Sequence, residues 1–266
     1  MSRIAIIVAM EGEVRPLIRR WKFRTIERDG RKYRLFENGN AVLICGGIGG
    51  EAARRATEVV IGEINPARVV SAGFAGALDA SLQVGDVLEP RAVINAADGV
   101  RTEIGVGAGI LVTSKTVADK EQKIRFSVAY GAQAVDMEAA SVSQGAHARE
   151  VEFGVVKAIS DAADFHLPAL EEFVTSDGNF SSVRFACHVV LRPWLWATTI
   201  ALARNSFKAS QALCGALEGY IARSGAGAQT LRKASLSAAL NRTEVGPESA
   251  SGPTHTGIEA HTEGKR

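Results

Sequence analysis

Apolar positions along the chain come in short unbroken runs separated by stretches of helical spacing. Arg3–Ala9 (RIAIIVA) reads as a strand buried on both faces, and the segment after it carries Val14, Leu17 and Ile18 at helical intervals. Charged Arg24–Asn40, with the turn pairs Asp29-Gly30 and Asn38-Gly39, reads as a hairpin. Ala41–Cys45 is a second buried strand ending in the cluster Gly46-Gly47-Ile48-Gly49-Gly50, and Glu51–Ile64 a helix. Arg68–Phe74 is a third buried strand. Short β pieces are expected at Asp86–Leu88, Ala92–Ile94 and Gly109–Val112, helices at Lys115–Tyr130 and Asp136–Ala148, and a last central strand at Phe153–Ser160. Alternation of buried strands and helices predicts an α/β fold, a mixed, largely parallel central sheet with flanking helices.

Beyond Pro168 the pattern changes. Leu170–Val174 and Val183–Leu191 have helical spacing, and Arg192-Pro193 opens a helical extension, so residues 1–223 form the expected catalytic domain, with 192–223 as its C-terminal helical extension. Residues 224–266 are rich in Ser, Gly, Ala and Thr and predict a disordered tail, with a transient helix at Thr230–Leu240.

Composition narrows the function. A net charge of +2 over 266 residues is too small for a nucleic-acid binder. Cys45, Cys187 and Cys214 lack metal or disulfide spacing, and the five histidines are unclustered, so no metal site is expected and a reducing compartment is. The N-terminal apolar run meets Glu11 too soon for a signal peptide, and no stretch is long enough to span a bilayer; the expectation is a cytoplasmic protein.

In open α/β sheets ligands bind beyond the carboxyl ends of the strands. Those ends carry Glu11 and Glu13, the glycines 46–50, Gly73-Phe74-Ala75-Gly76, and Ser160-Asp161, with Asp136-Met137-Glu138 before the last strand. Carboxylates beside glycines that admit a ligand to the backbone suit a polar small molecule. Each also has an ordinary explanation: Glu13 complements a helix dipole, Asp161 caps a helix, and Met137 belongs to the core. GGIGG matches neither nucleotide fingerprint.

Taken in order, RIAIIVAMEGEVRPLI (3–18), VLICGGIGGEAAR (42–54), VVSAGFAGALDASLQVGD (69–86), AVDMEAAS (134–141) and GVVKAISDAAD (154–164) resemble the purine nucleoside phosphorylase and methylthioadenosine/S-adenosylhomocysteine nucleosidase superfamily over roughly residues 3–165. The short middle section and the segment beginning LRPWLW resemble its hopanoid-associated phosphorylase branch, which is linked to removing adenine from adenosylhopane.

The resemblance implies cleavage of a purine–ribose bond without cofactor, with phosphate as a candidate co-substrate. Asp161 then corresponds to the acid at purine N7. A carboxyl must rise from about 3.9 to near 7 for that task, a cost of about 4 kcal/mol, and the apolar neighbours Val155, Val156 and Ile159 are expected to impose it. A carboxyl also suits adenine's amino edge. Glu138 corresponds to the clamp on the ribose hydroxyls, Met137 to its packing partner, and Glu13 to the residue that orients the attacking water. Ser160, Gly73 and Phe74 line the base and ribose pocket. Phe74 replaces the small polar residue typical there. Gly47 and Gly49 are candidate donors to a phosphate or water, with Arg54 and Arg91 as candidate partners, but no complete phosphate set is visible, and Glu13 favours hydrolysis.

The segment between Asp86 and Ala134 is shorter than in the methylthioadenosine enzymes, which opens the 5′ side to a bulky, lipid-linked nucleoside. Trp194 and Trp196, flanked by Arg192 and Arg204, suggest peripheral membrane contact, against the plainer expectation of a helix packed on the sheet or on a partner subunit. The resemblance also implies a homo-oligomer. The alternatives are a methylthioadenosine/S-adenosylhomocysteine nucleosidase, a phosphate-dependent nucleoside phosphorylase, and a non-catalytic nucleoside-binding protein.

Overall fold

The computed structural model describes residues 3–165 and 196–243, with side chains of the last helix described from Thr199 to Ser224. In chain order these residues form β1 (Ile4–Val8), α1 (Glu11–Ile18), β2 (Lys22–Arg28), β3 (Arg31–Asn38), β4 (Ala41–Cys45), α2 (Gly50–Ile64), β5 (Arg68–Ala77), β6 (Val87–Leu88), β7 (Ala92–Asn95), β8 (Arg101–Glu103), β9 (Ile110–Thr113), α3 (Lys120–Tyr130), β10 (Ala134–Asp136), α4 (Ala139–His147), β11 (Glu152–Asp161) and α5 (Trp196–Thr243). The chain divides into two compact units, 1–226 and 227–266.

The sheet follows the order β2-β3-β4-β1-β5-β10-β9-β7-β8, with β11 on β5 and β6 on β11. Parallel pairing joins β4, β1, β5 and β11, and also β10, β9 and β7. The mixed, largely parallel α/β sheet expected from the pattern is therefore present. All five residues of β1 are buried, as a strand covered on both faces requires. β2 is an edge strand, largely exposed and charged, which discourages pairing with another sheet. Asp29 and Gly30 both take positive φ (51° and 71°), the conformation of a two-residue hairpin turn.

Three boundaries differ from the expectation. The helix predicted from Asp136 begins only at Ala139, because Ala134–Asp136 joins β5 and β9 as a strand. The helix predicted from Lys115 begins at Lys120, where Asp119 caps it by accepting from Gln122 N. The last helix continues past Arg223, where order was expected to end, as far as Thr243. The short helices expected within 170–191, Trp194 and the tail beyond 243 lie outside the described residues.

One face of α5 (Ala209, Leu213, Cys214, Leu217 and Tyr220) is buried in the cluster that contains Ile4, Ile6, Leu17, Ile18 and Val156. That stretch is packed on the sheet. Nearer its start, Ile200 and Phe207 are exposed. No described helix is long and apolar enough to cross a membrane.

Two irregularities of β5 and β11 prepare the site. One edge of β5 pairs with β1 through Arg68–Ser71 and with β10 only at Gly76 and Ala77. Between them, residues 72–75 lack a strand partner on that edge. On the other edge, β11 runs in register until a bulge between Ile159 and Asp161 leaves Ser160 as the extra residue. Bulges re-aim the side chains that follow them, and here the next is Asp161.

Candidate active site

Glu13 stands in the first turn of α1 and is buried. Its Oε2 accepts from Met10 N (3.0 Å), closing the start of the helix, and its Oε1 accepts from Phe74 N (3.2 Å) in the unpaired stretch of β5. One carboxyl thus closes the first turn of α1 and meets the backbone of β5. Gly73 has φ +145°, and a Cβ there would stand 3.2 Å from Glu13 Oε1, so glycine lets the carboxyl lie against the strand. Burial pushes the Glu13 carboxyl above its ordinary value, against the Met10 N–H and the Lys157 charge. Its neighbour Glu11 points elsewhere, to Arg34 at 2.7 Å on the surface.

Glu138 precedes α4, and its Oε1 accepts from Gly49 N (2.9 Å). Its side chain keeps 13% exposure. Burial and the nearby Asp136 charge raise its carboxyl to about 7, although Lys157 opposes them. Met137 beside it is half-buried.

Lys157 anchors this cluster and was not among the expected site residues. It is buried in the middle of β11, with Nζ 2.8 Å from Asp136 Oδ2 and 3.9 Å from Glu138 Oε2. Asp136 also accepts from Thr113 Oγ1 (2.6 Å) and Ala139 N (2.9 Å). Burial alone would pull the Lys157 ammonium down, but Asp136 and Glu138 outweigh it and hold it above its ordinary value. The signal was legible: a lysine inside the apolar run FGVVKAIS must find a carboxylate. Lys157→Met strands Asp136 without its cation and is expected to cost about 3–5 kcal/mol of stability, measured by urea unfolding.

Asp161 is buried at the end of β11. Its Oδ1 accepts from Ser160 Oγ (2.8 Å). Its Oδ2 lies 2.5 Å from Nζ of Lys123, which reaches in from α3 and also donates to Ala162 O (2.9 Å). This corrects the expectation of purely apolar surroundings. Val155 and Ile159 are indeed buried nearby in sequence, but the contact of Asp161 that matters electrostatically is an ammonium. Lys123 escaped sequence reasoning because α3 is inverted: Lys123 is buried, while Ile124 and Val128 are exposed.

The glycine turn also departs from expectation. Gly47 N donates to Ala9 O (3.0 Å) and Gly49 N to Glu138, so neither N–H is directed at a phosphate. Arg54 is bound to Glu51 and Glu58 on the surface, and Arg91 is exposed. Phe74 is half-buried, its ring against the cluster holding Val8 and Val14. No group of three or more potential metal ligands occurs among the described residues.

Gly73 touches Glu13 and Gly76 touches Asp161: a Cβ on Gly76 would lie 2.9 Å from Asp161 Oδ2. Three residues of strand span about 10 Å. Two carboxyl groups at one end of this span and a carboxylate–ammonium pair at the other define a site for polar, acid–base chemistry on a small molecule.

The family follows from comparison with known proteins. The family model described as the phosphorylase superfamily matches residues 3–113 and 106–184. The chain belongs to this superfamily. It is 32% identical over 162 residues to the 5′-methylthioadenosine/S-adenosylhomocysteine nucleosidase of Glaesserella parasuis, covering 48% of this chain and 70% of that one. It superposes on the nucleosidase of the same name from Colwellia psychrerythraea, solved with adenine, with a TM-score of 0.53 and 25% identity over 60% of this chain and 83% of the other. The Helicobacter pylori nucleosidase, at 18% identity and a TM-score of 0.63 over 84% of this chain and 98% of that one, shares the fold.

Proposed function

We propose that this protein is an enzyme that hydrolyses the N-glycosidic bond of an adenosyl compound and releases adenine. The observation that carries this reading is the arrangement along β5, with the Glu13 and Glu138 carboxyls at one end and Asp161 at the other. Bond cleavage leaves positive charge on the ribosyl carbon and negative charge on the purine. Glu138 accepts hydrogen bonds from the ribose hydroxyls and stabilises the developing cation. Glu13, whose burial raises its carboxyl above the ordinary value and so makes its carboxylate a stronger base, takes a proton from the attacking water. Asp161 faces the purine edge. One acid and one base flanking the bond divide the work as in inverting glycosidases.

Hydrolysis is favoured over phosphorolysis by the same groups. Gly47 and Gly49 direct their N–H groups at internal acceptors, and the Glu13 carboxyl where the nucleophile must arrive repels a phosphate anion. The names of the relatives support the nucleosidase class.

For the 5′ substituent we favour a bulky lipid, adenosylhopane giving ribosylhopane, supported by the short segment of 47 residues between Asp86 and Ala134, on which the resemblance to the hopanoid-associated branch partly rests. Exposed Ile200 and Phe207 at the start of α5 suit contact with a lipid surface. The second reading, methylthioadenosine or S-adenosylhomocysteine as substrate, is favoured by the relatives' names. Adenine release from adenosylhopane in detergent, compared with release from methylthioadenosine, separates the two. Product analysis with and without phosphate is expected to give free ribosyl product in both cases; ribosyl-1-phosphate would overturn hydrolysis.

Glu138 also sets a pH dependence. Its carboxyl must be ionised to accept both hydroxyls, so kcat/KM is expected to rise with pH through about 7. Stability runs the other way. The folded carboxyl is raised from an ordinary 4.5 to about 7, so its contribution is full below 4.5 and is lost as pH rises through about 7. Glu138→Gln is expected to flatten that part of the stability curve in thermal melts and to abolish the activity limb.

A further inference from the structure

Lys123 has no role in the chemistry just described, yet it is buried and paired with Asp161. Its Nζ meets Asp161 Oδ2 at 2.5 Å and Ala162 O at 2.9 Å. An ammonium carries three protons, so one N–H remains without an acceptor among the described residues. Asp161 accepts from Ser160 through Oδ1 and from Lys123 through Oδ2, which leaves a lone pair on each oxygen. Side by side, the pair presents one donor and one acceptor.

The outer edge of adenine presents the complement: N7 accepts and the 6-amino group donates. Resting on the function proposed above, we propose that Lys123 is a catalytic residue, the proton donor to purine N7, and that Asp161 works as a carboxylate that accepts from the 6-amino group and holds Lys123 in place. As the bond between N9 and the ribosyl carbon breaks, its electron pair passes to the purine and the proton of Lys123 Nζ passes to N7. Neutral adenine and a neutral lysine amine result. Water bonds to the ribosyl carbon and gives its proton to Glu13; that proton returns to Lys123 through solvent, restoring both groups. A 6-oxopurine places an acceptor against the Asp161 carboxylate and is rejected, so the pair selects 6-aminopurines.

The charged groups facing Lys123 and those of the sugar end belong to different clusters. Asp161 is its direct partner from β11, while Asp136, Lys157, Glu138 and Glu13 form the separate cluster at the sugar end. On α3 itself Lys120, Glu121 and Arg125 are exposed, as is Asp164 just beyond β11.

The test uses the full-length protein with adenine release as readout. Lys123→Met is expected to lower kcat by about 10²-fold or more at pH 7.5. Relative to the unsubstituted enzyme at each pH, its residual activity is expected to decline as pH rises, because donation to N7 then depends on a protonated Asp161. Lys123→Arg keeps the charge and the ion pair, and so the fold, but does not release its proton; kcat is expected to drop with KM little changed. An arginine variant with full kcat, or a methionine variant with an unchanged pH profile, would overturn the proposal and leave Lys123 as a support for Asp161. If the unsubstituted protein releases no adenine from any nucleoside, it is the proposed function that fails, and no variant is needed to show it.

Discussion

Asp161→Asn is expected to lower adenine release by about 10²–10⁴-fold and, in the same variant, to lower the melting temperature. The first effect follows from the loss of the carboxylate that faces the purine edge. The second follows from Lys123. With asparagine at 161 the ammonium keeps an acceptor but loses its countercharge inside a buried site. An uncompensated buried charge costs about 3–5 kcal/mol, or roughly 6–20 °C at 2–4 °C per kcal/mol for a domain of this size. The apolar neighbours Val155, Val156 and Ile159 alone would leave the fold of this variant untouched. The double variant Asp161→Asn/Lys123→Met removes both charges and separates the two effects: thermal stability is expected to recover and activity is not. A single variant with normal turnover would remove Asp161 from the chemistry.

Glu13→Ala is expected to lower turnover by about 10²-fold or more, because water then attacks without a base. Glu13 also accepts from Met10 N and Phe74 N, so part of any effect reflects the start of α1 and the unpaired edge of β5. Azide distinguishes the two. It attacks without losing a proton and fits the space a truncated side chain leaves. Restored cleavage with formation of a ribosyl azide is expected if Glu13 is the base. Absence of rescue in a variant that melts normally would sink the assignment.

How far the chain announced this arrangement depends on the range of the interaction concerned. Buried strands were visible as apolar runs, because a strand covered on both faces has no polar side to show; IAIIV and AVLIC are examples. The hairpin turn at Asp29-Gly30 was visible because positive φ at both positions demands such residues. By contrast Ala134–Asp136 read as the start of a helix. Three residues carry too little periodicity to declare a strand, and only the edges of β5 and β9 made them one. The exposed Ile124 and Val128 on α3 misdirect in the same way, since a helix is expected to bury its apolar side.

At the site, Glu13, Glu138 and Asp161 were visible as carboxyls near strand ends, each with an ordinary explanation of its own, and it was the resemblance of the ordered segments that gave them roles. Lys157 was legible as a charge inside an apolar strand. Lys123 was not. Its spacing on α3 is that of any surface lysine, and nothing within ten residues of it calls for a buried cation.

The linear pattern alone thus settled the kind of fold and which strand ends carry acidic groups, since both follow from local alternation and side-chain type. Three-dimensional packing settled which charges meet: Asp161 with Lys123 across 38 residues, Asp136 with Lys157, and Glu138 with the backbone of Gly49 across 89. Electrostatic partnership depends on distance through space, and a chain encodes that distance only when it has folded.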